Sequence, residues 1–134
     1  MIWIALAAAI IFTLGLLHLV YTFHGPKLLP RDRELRAHME HSALVLTRET
    51  NVWKAWIGFN ASHSLGAMLF GAVYGDLALV RPGVLASSPY LLAVGAALLL
   101  AYAWLGRRYW FSVPFRGILL ALALYAGGVT TLWI

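Results

Sequence analysis

Read for alternation of hydrophobic and polar positions, the chain is four long apolar runs with short polar stretches between them, the longest lying between the first and second runs. The first run, residues 2–23, predicts a helix of roughly 33 Å at about 1.5 Å rise per residue, enough to cross a hydrocarbon core. No basic segment precedes it and no small-residue cleavage site follows, so it reads as a retained span and not a signal peptide. Trp3 and Tyr21 stand near its ends as interfacial anchors. A less greasy stripe, Ala8, Ile11, Gly15, His18 and then Tyr21 or Thr22, has helical spacing and marks the face turned toward other helices.

After His24-Gly25-Pro26 the pattern changes. Residues 31–48 contain no Gly or Pro and place Leu35, Met39, Ser42 or Ala43, and Leu46 on one side, which predicts an amphipathic helix started by Pro30 or Asp32. Thr50 and Asn51 are suitable N-caps for the next helix, although one continuous bent helix stays open. The second span covers 53–75, the third 89–106 behind a Ser88-Pro89 start, and the fourth 113–133 behind Ser112 and Pro114. Arg81-Pro82-Gly83 marks a turn between the second and third. The fold expected is therefore all-α, a four-helix transmembrane bundle forming one domain over residues 1–134, with the amphipathic helix between spans 1 and 2.

The second span is the expected hub. Gly58, Ser62 and Gly66 form one ladder of small residues and Ala67, Gly71 and Gly75 another, each able to admit a neighbouring helix closely. Ala93, Ala97 and Ala101 do the same for the third span, and Gly117 with Ala121 for the fourth. Within the hub lies a polar cluster, Asn60, Ser62, His63 and Ser64, which would cost free energy in lipid and should face protein.

Composition sharpens this picture. The 134 residues are 62% hydrophobic and only 11% charged, far from a soluble domain. With no cysteine, disulfides, thiolate metal sites and Cys nucleophiles are all excluded. The net charge of +5 sits beside apolar runs, which favours anionic lipid headgroups over nucleic acid. Lys27, Arg31, Arg33, Arg36, Arg48, Lys54, Arg107, Arg108 and Arg116 fall in or beside the first and third connections, against Arg81 alone on the other side. By the positive-inside rule the amphipathic helix is cytoplasmic and both termini are outside.

The stretches W-K-A-W-I-G-F-N-A-S-H-S-L-G at 53–66 and R-Y-W-F-S-V-P-F-R-G at 108–117, with H-G-P-K-L-L-P-R-D at 24–32, resemble an uncharacterised family of small bacterial four-span integral membrane proteins. That resemblance implies a bacterial inner-membrane location and carries over no catalytic residue.

Three kinds of chemistry remain to be weighed. His63 with Asn60, Ser62 and Ser64 is a functional candidate because ionisable groups inside spans usually are, yet a neutral imidazole serves equally as interhelical glue. His18 and His63 are candidate ligands for a shared haem iron or other metal, although their depths differ by about one helical turn, roughly 6 Å. Glu34, His38 and His41 share a face at i, i+4, i+7 and are the candidate metal set, needing a fourth ligand such as His24 or Glu49; a solvated polar face has the same pattern. No Asp or Glu lies inside a run, which argues against coupled transport, and Ser62 and Ser64 lack a buried carboxylate for a hydrolytic triad unless Asp76, Glu40 or Glu49 folds back. Elimination leaves a non-catalytic binding or accessory subunit, with a homo-oligomer or larger membrane complex open, and a membrane haem- or metal-binding protein as the alternative.

Overall fold

A computed structural model of the chain describes residues 1–132, and three of its helices start where a side chain satisfies a free backbone N–H group. Six α-helices and no strand occur among these residues: α1 Ile2–Phe23, α2 Arg33–His41, α3 Val52–Leu79, α4 Pro82–Ala86, α5 Pro89–Tyr109 and α6 Ser112–Thr130. The Asp32 carboxylate accepts from Glu34 N at 2.8 Å, Asn51 Oδ1 from Lys54 N at 2.8 Å and Ser88 Oγ from Leu91 N at 3.2 Å. These are N-cap bonds, each worth about 1 kcal/mol.

Three helices, α1, α5 and α6, are long and apolar enough to cross a membrane. At 28 residues α3 is the longest, about 42 Å. Asn60, Ser62, His63 and Ser64 lower its mean hydropathy, which keeps it from qualifying on composition. The expected end of the fourth run at Trp133 lies outside the described residues.

The amphipathic helix is shorter than 31–48. It ends at His41, where Ser42 turns extended, and Val52 N donates to the Ser42 carbonyl at 2.9 Å. An isolated antiparallel bridge joins Ala43 to Asn51. Ser42, Val45, Thr47 and Thr50 explain the stop, since β-branched and hydroxyl side chains disfavour helix and bond locally instead; Thr47 Oγ1 accepts from Glu49 N at 3.1 Å. The intervening loop also means that α2 and α3 are not one continuous helix. Arg81-Pro82-Gly83, read as a turn, opens the unexpected short helix α4, with Pro82 in its first turn.

The chain divides into two compact units, one of residues 1–14 with 67–134 and one of residues 15–66. In the first, Ile4, Ala8 and Ile11 of α1, Ala67, Phe70, Tyr74 and Leu77 of α3, Leu85 of α4, Leu92 and Leu99 of α5, and Ile118, Ala121 and Tyr125 of α6 form one buried core. The ladders are used selectively. Ala67 and Gly71 are buried, whereas Gly58, Ser62 and Gly66 are exposed, and Gly58 and Gly75 have open space where a Cβ would stand. Residues nine apart on a helix point in nearly opposite directions, so the 58–62–66 ladder faces away from the side on which Ala67 and Gly71 are packed. On α5 the expected Ala93, Ala97 and Ala101 are exposed, and Leu92, Gly95 and Leu99 make the packed face.

Candidate functional site: a histidine and asparagine cluster

In the unit of residues 15–66, the last turns of α1 and the first turns of α3 bring His18, Asn60 and His63 together. His18 recurs on the Ala8, Ile11, Gly15 stripe and Asn60 lies one turn before His63 and Ser64, so helical geometry alone aims them inward. The His18 Nε2–H donates to Asn60 Oδ1 at 2.9 Å, which requires the proton on Nε2. Asn60 Nδ2 in turn donates to the Trp56 carbonyl at 2.8 Å. Ser64, fully buried, donates to the Asn60 carbonyl at 2.8 Å, and Thr22 Oγ1 donates to the His18 carbonyl at 2.8 Å.

The His18 and His63 rings meet edge to face with centroids 5.5 Å apart. Their expected mismatch in depth is thus absorbed by the packing of α1 on α3 within this unit. Here the rings stand nearly perpendicular, at 88°, and His18 Nε2 is committed to Asn60. His18 thus joins the cluster through Asn60, and His63 meets it through the ring of His18.

Ser62 does not belong to the cluster. It is exposed and donates to the Phe59 carbonyl of its own helix at 3.1 Å, because adjacent helix positions do not share a face. Glu34, His38 and His41 are exposed on α2, His41 Nδ1–H donating to the Ala37 carbonyl at 2.7 Å. Among the described residues no group of three or more His, Asp or Glu side chains is placed to hold a metal ion. Of the carboxylates considered for a catalytic role, Glu40 pairs with Arg36 at 3.0 Å and Asp76 with Arg81 at 3.4 Å. Among the described residues no buried side-chain nitrogen or oxygen lacks a hydrogen-bond partner.

Two features lie outside the expected site residues. Tyr74 and Tyr125 donate to the Leu91 and Leu92 carbonyls at 2.6 and 3.0 Å, tying α3 and α6 to the start of α5. Their i, i+4 relation to core residues was the available signal. The second feature is the run Leu44-Val45-Leu46, whose Val45 and Leu46 are almost entirely exposed at the tip of the loop that the Ala43–Asn51 bridge closes.

No protein-family model, curated protein or solved structure matches the chain.

Proposed function

We propose that the protein crosses the bacterial inner membrane four times, with α3 crossing as the second span beside α1, α5 and α6, both termini outside and the connection from α1 to α3 in the cytoplasm, and that it acts as a non-catalytic binding or accessory subunit. The observation that carries this reading is the division of α3 into two faces. Phe59, Leu65, Leu69 and Val73 are large, apolar and exposed, as lipid or a membrane partner requires. Asn60 and Ser64 lie on the other side, where they bond to helix carbonyls or to His18. The His18–Asn60 bond, which joins α1 to α3, supports a structural role for the centre, and the basic connections support the orientation.

The cysteine-free chain allows a direct test. With His38→Cys and Ser87→Cys placed singly, an impermeant maleimide added to intact spheroplasts should label position 87 and spare position 38. Labelling of both positions from one side would remove α3 from the membrane. A photoreactive residue in place of Phe59 should yield a discrete protein adduct in native membranes, and adducts with lipid alone would count against the subunit reading.

A second reading, a metal ion held by His18 and His63, is favoured by the 5.5 Å approach of their rings. Purified protein should then carry metal that is lost in His63→Ala, whereas a colourless, metal-free preparation returns both histidines to helix joining. For a haem the corresponding sign is an intense Soret band.

A further inference from the structure

The unit of residues 15–66 holds an open cavity of about 640 Å³ lined by Pro26, Leu29, Pro30, Arg31, Arg33 and Arg36. Its three arginines differ in how they are held. Arg36 is engaged twice, by Glu40 at 3.0 Å and by the Trp53 ring at 4.9 Å. Arg31 and Arg33 are exposed and have no ion pair among the described residues. The nearest acid in sequence, Asp32, is occupied in capping α2. Two uncommitted guanidiniums over an apolar floor suit a singly charged phosphate carrying a greasy tail better than a fully hydrated anion. The same unit presents Leu44, Val45 and Leu46 on the loop between α2 and α3, Val45 and Leu46 projecting with no protein cover. An uncovered apolar tip two residues before Arg48 is the composition of a segment that enters the headgroup boundary.

We propose that residues 24–51 form an anionic phospholipid site, in which Arg31 and Arg33 take the lipid phosphate and the Leu44–Leu46 tip inserts at the acyl boundary. This deepens the membrane reading and rests on it. The shared chemistry is a phosphate oxyanion, and the source the element is built for is a lipid, because the tip has no counterpart in a soluble phosphate ester.

The test uses Val45→Cys in the full chain, labelled with an environment-sensitive fluorophore and reconstituted in nanodiscs. Replacing phosphatidylcholine stepwise by phosphatidylglycerol should blue-shift and brighten the probe. In the Arg31→Gln, Arg33→Gln background, the apparent affinity for phosphatidylglycerol should fall by about fivefold for each arginine removed, so that the change becomes incomplete even at high phosphatidylglycerol. Both arginines are exposed and unpaired, so an unchanged thermal midpoint serves as the folding control. A probe that responds equally in both lipids, or a response unchanged by the double substitution, overturns the site. A response reproduced in pure phosphatidylcholine by millimolar inorganic phosphate overturns the lipid and leaves a small-anion site. None of these outcomes depends on whether α3 spans, because the labelling at positions 38 and 87 reports that separately.

Discussion

Gly71→Ala is expected to lower the thermal midpoint of the detergent-solubilised protein more than any other single added methyl in α1 or α3, and Gly71→Leu to prevent recovery of folded protein. A Cβ at this position would stand 2.5 Å from Phe12 Cβ, 2.7 Å from the Ala8 carbonyl oxygen and 2.9 Å from Phe12 Cα. Two of these three are backbone atoms, so no rotamer change relieves the overlap. The helices must separate, and Ala8, Ile11 and Ala67, all buried, then lose contacts that act only at close range. Overpacking costs about 1 to 3 kcal/mol where side chains can adjust, and rigid backbone puts this site at or above the upper end. Gly58→Ala and Gly75→Ala are the matched controls, with nothing within 4 Å of the added Cβ. In them the better helix propensity of alanine, up to about 1 kcal/mol, should leave stability unchanged or raised. Equal losses at 58, 71 and 75 would mean that α1 does not approach α3 through Gly71.

The contrast among these glycines shows what the sequence made legible. Spacing on a helix reveals that a ladder of small residues exists, and α3 carries two. It does not reveal which is covered, because in lipid a small-residue face and an apolar face are both tolerated. The limits of α1 and the start of α5 were legible because length and hydropathy agree there, with the Ser88-Pro89 cap added at α5, whereas α5 runs on to Tyr109, three residues past the expected end. Between His41 and Val52 they conflict. The apolar spacing of Leu35, Met39 and Leu46 continues a helical period, while Ser42, Thr47 and Thr50 bond to nearby backbone, and the local bonds prevail beyond His41.

The candidate site was partly legible for the same reason. His18 was aimed by its stripe and His63 by its span, and both lie where helical periodicity puts them. Their meeting depends on how α1 packs on α3, a long-range fact that no local pattern contains. Ser62 was grouped with its neighbours by proximity in sequence, and the helical angle between successive residues separates it. The arginines of the cavity were visible as charge. What distinguishes Arg31 and Arg33 from Arg36 is the company each keeps, and that emerges only when Glu40 and Trp53 are in place.

Gly95→Ala is expected to be the second large loss, through aromatic rings instead of backbone. The added methyl would overlap Tyr125 Oη and stand 2.7 Å from both Tyr125 Cζ and Tyr74 Cε1. Flexible side chains could swing clear at small cost, but these cannot. Tyr125 is 1% and Tyr74 6% exposed, their ring centroids lie 6.0 Å apart, and each hydroxyl is anchored on a carbonyl of the first turn of α5. Relief for one ring therefore presses on the other or breaks a bond, adding about 1 kcal/mol for a lost hydrogen bond to the overpacking cost. Tyr125→Phe removes the hydroxyl that overlaps most and alone should cost about 1 kcal/mol. Combined with Gly95→Ala it should cost clearly less than the two losses added, since the clash and the hydroxyl are then removed together. Gly127→Ala on α6, with nothing within 4 Å of the new methyl, should be neutral in the same thermal assay. Strict additivity of the Gly95 and Tyr125 substitutions would show that the tyrosine does not lie across Gly95, and the tie between α6 and α5 would then have to be sought elsewhere on the two helices.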